Sequence, residues 1–269
     1  EIMLLEDIHN TDKRIYIPLI GLQNRFTDFL NHFARIRESA PIWRYDSETQ
    51  SVDVFFAKYK DFVLPNGFED DFVPKGTAFT SRRRAARKAI LRMANCLTGC
   101  EYPDDTLIVG TSGRYEFRNK GIDVFIEALN RLNRDKNLKK PVLAFVEVPA
   151  WVGEPREDLR NRLSSKKVYD TPLDCPMITH WLYNMSHDNV LGMMKYNDMW
   201  NRKEDKVKLI FIPCYLNGDD GILNLSYYDV IIGKDMSVYP SYYEPWGYTP
   251  LESVAFKVPC ITTDLAGFG

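Results

Sequence analysis

From residue 106 onward, near-continuous apolar runs alternate with stretches whose apolar residues recur every three to four positions. Thr106-Leu107-Ile108-Val109-Gly110 is one such run. Ile122, Phe125, Ile126, Leu129 and Leu132 then mark an amphipathic helix. Val142–Val146, Val207–Ile212, Met236–Tyr239 and Cys260–Thr263 read as further strands. Helices are expected near Glu157–Leu163, over Leu223–Ile232 and over Thr249–Phe256. Strands this apolar must be covered on both faces, and joining them through helices makes them parallel. The expected fold class is α/β: a Rossmann-like, doubly wound parallel sheet.

The bulk composition excludes several classes. The chain has 269 residues, 45% hydrophobic and 27% charged, with a net charge of −2. That balance gives no electrostatic case for nucleic-acid binding. The apolar runs fall short of a membrane span. The opening residues Glu1–Glu6 lack a signal peptide's basic start and long apolar region. The odd count of five cysteines fits reduced thiols in a cytoplasm. Cys96 and Cys100 have no second pair or nearby histidine to complete a metal site, and buried or half-buried free thiols are the simpler reading. The chain starts on Glu1 and stops where a loop should lead onward, which suggests a piece of something longer. The sequence is compatible with a homo-oligomer and fixes no stoichiometry.

Residues 1–60 differ in texture. Arg14–Gly21 and Ser51–Phe56 read as strands, and Phe26, Phe29, Leu30, Phe33 and Ile36 as a helix stripe. Nothing there assembles into chemistry, so a scaffold role, as part of another lobe, is the simpler reading. A boundary near residue 60, before the turn dipeptide Asn66-Gly67, gives segments 1–60 and 61–269. The next helix is expected to start at Thr80-Ser81, which can cap it. One face carries Ala86, Ala89, Ile90, Met93, Ala94 and Leu97. The other carries Arg82, Arg83, Arg84, Arg87, Lys88 and Arg92, expected to be solvated or paired with parts outside the chain rather than to bind a phosphate or polyanion.

Two stretches could carry chemistry. In Tyr239–Glu252, Glu244 and Glu252 sit eight positions apart across a strand-turn-helix junction. Carboxylates there can accept charge-assisted bonds from sugar hydroxyls. Gly247 lets backbone approach a ligand, and the N–H groups of Tyr248 and Thr249 at a helix start suit a phosphate. The second stretch, Gly113–Gly121, follows a strand at the sheet's carboxyl edge, where such folds bind ligands. Arg114 offers a planar fork and Lys120 a mobile point charge to a diphosphate. On spacing alone, basic loop residues are more often solvated.

The segments SGRYEFRNKGIDVFIEALNRLN and YPSYYEPWGYTPLESVAFKVPCITTDLAGFG, with LPNG before them, resemble glycogen synthases of the animal, fungal and Bacteroides-like type (glycosyltransferase family 3). The likeness covers roughly residues 62–269. It implies a GT-B fold of two Rossmann-like lobes, this chain being the C-terminal, donor-binding lobe with an incomplete N-terminal one. It implies transfer of glucose, with retention and no metal or other cofactor, from UDP-glucose or ADP-glucose to the 4-hydroxyl of a glycogen (α-1,4-glucan) chain end. Residues matching Arg114 and Lys120 contact the donor phosphates, and that matching Glu244 contacts the glucose. Glu252 matches a residue near the ribose, Tyr227 one that stacks on the base, and Thr249 a phosphate-binding threonine. A histidine, an arginine and a glycine loop that the family's other lobe supplies have no counterpart here. Of the four histidines, His9 and His32 lie in the unmatched segment. His180 reads as structural and His187 as a surface residue. The readings left open are another retaining GT-B transferase or phosphorylase-like enzyme, and a non-catalytic glycan- or nucleotide-binding relative.

Overall fold

The computed structural model describes residues 15–18, 41–46, 51–56 and 68–269. The chain divides into two units, Glu1–Gly67 and Phe68–Gly269. In the first, β1 (Ile15–Pro18), β2 (Pro41–Asp46) and β3 (Ser51–Phe56) form an antiparallel sheet in the order β1-β3-β2. β1 and β3 fall where strands were expected. β2 carried no clear signal. The expected helix over Phe26–Ile36, the Asn66-Gly67 turn, and His9 and His32 lie outside the described residues.

The second unit holds the sheet that positions the site. Its strands are β4 (Leu107–Ser112), β5 (Val142–Glu147), β8 (Val207–Ile212), β9 (Met236–Tyr239) and β10 (Cys260–Thr262). All pairs are parallel, in the order β10-β9-β4-β5-β8. The order reverses between β4 and β9, and such a switch point opens a crevice at the carboxyl ends of the two strands.

Alternation across each strand explains the two-sided core. Val142, Ala144 and Val146 of β5 face the cluster holding Phe125, Ile126 and Leu129 of α2 (Ile122–Arg134), while Leu143 and Phe145 face the opposite cluster. β8 divides likewise: Val207, Leu209 and Phe211 on one side, Ile210 and Ile212 on the other. α4 (Asn189–Tyr196) joins the α2 side. α1 (Gly76–Thr98), α3 (Glu157–Ser164) and α5 (Tyr227–Gly233) bring Ile90, Leu159 and Val230 to the other. Between β5 and β8, β6 (Val152–Pro155) and β7 (His180–Leu182) form an antiparallel ribbon. α6 (Tyr248–Ala255) links β9 to β10. Among the described residues no helix is long and apolar enough to cross a membrane.

Three expectations need correction. α1 begins at Gly76, with Lys75 at its N-cap and no side-chain cap, so Thr80 and Ser81 lie inside the helix. α5 begins at Tyr227 rather than near Leu223. The Asp220 carboxylate accepts from the backbone N–H groups of Ile222, Leu223 and Asn224, and Asn224 is left-handed, which holds that stretch as a turn. Ser226 then caps the helix by accepting from Asp229 N.

Four of the six basic residues of α1 are paired within the chain, while Arg84 and Lys88 are exposed. Arg83 reaches Asp235 at 2.6 Å and the carbonyls of Ile232 and Lys234. Arg87 reaches Asp235 at 2.8 Å and the carbonyls of Gly233, Asp104 and Thr106. Arg82 pairs with Asp229, and Arg92 donates to the carbonyls of Arg162, Ser165 and Lys167. The guanidinium forks take up the carbonyls that the end of α5 leaves free.

Candidate donor-binding site

The loop after β4 and the loop after β9 flank the switch point and are tied together there. Gly121 has a left-handed φ of 64°, and its missing Cβ leaves room for the Pro240 carbonyl. Tyr242 N donates to the Asn119 carbonyl at 2.9 Å. The first loop is also pinned to α4: Tyr115 donates to the Asp188 carboxylate at 2.7 Å, and Asp188 is the N-cap of α4. The second loop is bridged to the chain end, where Glu244 N donates to Leu265 O and Gly267 N to Glu244 O.

These ties bring the two loops' charged residues into contact. The Lys120 ammonium pairs with the Glu244 carboxylate, their side chains only 15% and 18% exposed. Burial pushes Lys120 below the ordinary lysine range, with the charge of Arg114 adding to it and Glu116 opposing. Arg114 is therefore close enough to act on Lys120. Its guanidinium, however, is 73% exposed and held by Glu116 at 3.1 Å rather than at the Lys120–Glu244 pair.

α6 opens beside this pair. Gly247 is its N-cap with φ 95°, no side chain caps it, and a Cβ there would sit 3.4 Å from Glu244 Cγ. Tyr248 and Thr249 occupy the first two helical positions and Pro250 the third, where a missing N–H costs nothing. The free amides at the tip make a ready anion site.

Glu252 sits one turn deeper. It accepts from the Tyr228 hydroxyl at 3.2 Å, and the Tyr227 hydroxyl is close enough to act on its charge. Burial raises its carboxyl above the usual range, against the pull of those hydroxyls. Tyr227 reaches Ser112 Oγ at 3.1 Å. Ser112 in turn lies 3.4 Å from the Tyr239 hydroxyl, which meets Ser253 Oγ at 2.8 Å. A hydroxyl chain thus joins the end of β4 to α6 beneath the two tyrosines.

The structure brings together Lys120, Glu244, Gly247, Tyr248 and Thr249, and separately Tyr227 with Glu252. Glu116, Tyr115, Ser112 and Gly121 escaped the sequence reading. The glycine before the α2 stripe was the available signal for the last of these.

Among the described residues, one cluster could hold a cation: ligand atoms of His180, Cys214 and Asp220 lie within 4.8 Å of one another. Its donors are already spent. His180 Nε2 donates to the Asp220 carbonyl, Nδ1 faces Thr179 Oγ1, and the Asp220 carboxylate holds three amides. Burial pushes the Cys214 thiol up to about 12, far from the thiolate a metal needs. His180 is a structural residue of the β6–β7 ribbon.

The glycogen synthase family profile matches residues 52–174 and 158–269. The chain belongs to the glycogen synthase family. Relatives in that family include the glycogen [starch] synthase of Neurospora crassa, 31% identical over 78% of this chain and 38% of its own length. Isoform 2 of Saccharomyces cerevisiae is 32% identical over 62% of this chain and 32% of its own. The liver form of Rattus norvegicus is 30% identical over 81% and 38%. The chain thus spans about a third of the length of the family members it matches. The glycosyltransferase WaaG of lipopolysaccharide biosynthesis, at 18% identity over 70% of this chain and 36% of that one, with a TM-score of 0.33, adds nothing to the family assignment.

Proposed function

We propose that this chain is the donor-binding lobe of a two-lobed, GT-B retaining glucosyltransferase. It would move glucose from UDP-glucose or ADP-glucose to the 4-hydroxyl of an α-1,4-glucan (glycogen) chain end. The observation that carries this reading is the meeting of Lys120 with Glu244 across the switch point, beside the uncapped tip of α6.

Each group has a physical task. Lys120 and the amides of Tyr248 and Thr249 face the diphosphate and stabilise the charge that grows as it leaves. Arg114 adds to that field once it swings from Glu116. Glu244, its partner drawn toward the phosphates, accepts from the glucose hydroxyls and fixes the anomeric carbon toward the acceptor. Glu252 and Tyr227 take the ribose and base. The transition state is oxocarbenium-like, as in other glycosyl transfers. The nucleotide-glucose is the substrate, and no resident cofactor or metal is proposed. Five free thiols suit a reducing cytoplasm.

The test is transfer of labelled glucose to glycogen by the intact protein that contains this chain, offered UDP-glucose and ADP-glucose in turn. Lys120→Ala and Glu244→Ala should each lower turnover by about a hundredfold or more. Undiminished turnover in both variants removes the assigned roles.

A further inference from the structure

The end of α5 is fastened to the sheet by a buried ion pair. Lys234 is the C-cap of α5, and its ammonium pairs with the carboxylate of Glu147, the last residue of β5. Gly110 of β4 makes the room: a Cβ there would lie 3.1 Å from Lys234 Nζ and 3.2 Å from Glu147 Oε1. Arg83 holds the same point from outside, donating to the carbonyls of Ile232 and Lys234 at 2.7 and 2.6 Å.

Such a pair is a poor source of stability. Two buried charges lose their hydration, and their attraction makes up for it only where the remaining donors and acceptors are satisfied. Here they are not. Among the described residues, Glu147 Oε1 has no hydrogen-bond partner, and neither has Ser237 Oγ, fully buried opposite Gly110 on β9. An apolar pair of the same volume would hold α5 at least as firmly. Apolar contact is non-directional, however, whereas an ion pair fixes where its two ends sit.

Both ends lead to Tyr227. Tyr227 opens α5 and Lys234 closes it, seven residues and about 10 Å of rise apart. Glu147 is the register partner of Ser112 on β4, so the two side chains share a face of the sheet. Ser112 Oγ meets the Tyr227 hydroxyl at 3.1 Å. Tyr227 is thus held at its backbone by the helix that Lys234 anchors, and at its hydroxyl by the serine beside Glu147. Burial raises that hydroxyl well above the ordinary tyrosine range; Tyr239, Glu252 and, more weakly, Glu147 add to the effect, and the Ser112 contact opposes it.

We infer that Glu147 and Lys234 are positioning residues for donor recognition: through α5 and Ser112 they set the depth at which Tyr227 presents its ring to the nucleobase. The inference rests on the donor-site reading above, in which Tyr227 takes the base. Neither residue touches the donor, since both are sealed from solvent. The grip on the base then separates from the grip on the diphosphate, which belongs to Lys120 and the tip of α6.

The experiment measures UDP and pyrophosphate binding by calorimetry, and donor KM and kcat, on the intact protein that contains this chain. Tyr227→Ala sets the size of the base-dependent share. The double variant Glu147→Leu/Lys234→Met removes the pair without stranding a charge. It should melt near the parent and bind pyrophosphate within twofold of it. UDP should bind about tenfold more weakly, with donor KM raised alike and kcat held. Ser112→Ala keeps the pair and cuts its link to the ring, so it should shift UDP in the same direction and leave pyrophosphate alone. It carries the test if the double variant does not fold. Parental UDP affinity in a folded double variant, or in Ser112→Ala, overturns the positioning role and leaves the donor site standing. Equal weakening of UDP and pyrophosphate also overturns it, because the whole site would then have loosened. A parent that binds neither ligand removes the donor-site reading itself, and this inference with it.

Discussion

Gly121 and Pro240 meet backbone to backbone: a Cβ on Gly121 would fall 1.9 Å from the Pro240 carbonyl oxygen. That approach sets the separation of the two loops that flank the switch point. Lys120 is the residue before the glycine, and Glu244 lies four residues past the proline. Gly121→Ala must both adopt a left-handed backbone and push the second loop away. It should cost roughly 2–4 kcal/mol in urea unfolding, and it should weaken UDP binding in calorimetry. A variant of parental stability would show that the loops can separate freely.

The Lys120–Glu244 pair is coupled energetically as well as in place. Both side chains are mostly buried, so removing one strands the other. Lys120→Ala and Glu244→Ala should each destabilise the chain by about 1–3 kcal/mol. The double variant should cost less than their sum, by about 0.5–3 kcal/mol. Strict additivity in urea titrations would deny the contact.

A second pair, Lys234 with Glu147, is sealed inside the sheet at 0% and 1% exposure. Gly110 runs beside it, and burial raises the Glu147 carboxyl while Lys234 pulls it down. Lys234→Met alone should cost about 3–5 kcal/mol, and adding Glu147→Leu should return most of it. Thermal unfolding of the single and double variants decides this. A double variant worse than the single would mean the pair contributes more than mutual compensation.

His180 makes acid stability predictable. Burial lowers its proton affinity below the ordinary 6.5, the Asp220 carbonyl and charge opposing. The unfolded chain therefore takes up this proton first as pH falls. The contribution of neutral His180 is complete above pH 6.5 and is lost as pH drops toward the folded value. The slope cannot exceed about 1.4 kcal/mol per pH unit for one group. His180→Gln should flatten the melting-point profile in that window. An unchanged profile would assign the acid sensitivity elsewhere.

The central strands β5 and β8 were legible because each is buried on both sides, so burial left an uninterrupted apolar run. β8 and β9 fall within the bounds the runs suggest, and β4 and β5 extend one or two residues further through Thr111, Ser112 and Glu147. These polar ends carry site and network contacts, so no hydrophobic rule could include them. Local chemistry without periodicity was harder. The turn at Asp220–Asn224 hid the start of α5 because Ile222 and Leu223 look helical and the Asp220 carboxylate overrides them.

Partners distant in sequence could not be read at all. Arg83 and Arg87 find Asp235 some 150 residues away, so six basic residues without a nearby acid looked solvated. For the same reason Lys120 and Glu244 were each visible as ligand-facing groups, but their contact, 124 residues apart in the chain, was not.

The arginine comb of α1 also decides where this lobe can be cut. Strand-helix alternation starts at β4, which invites an expression boundary near residue 105. Such a trim would discard Arg83, Arg87 and the Ile90–Leu97 face, expose one side of the sheet, and leave Asp235 and the tail of α5 without their arginines. A minimal autonomous fragment has to reach back at least to Gly76.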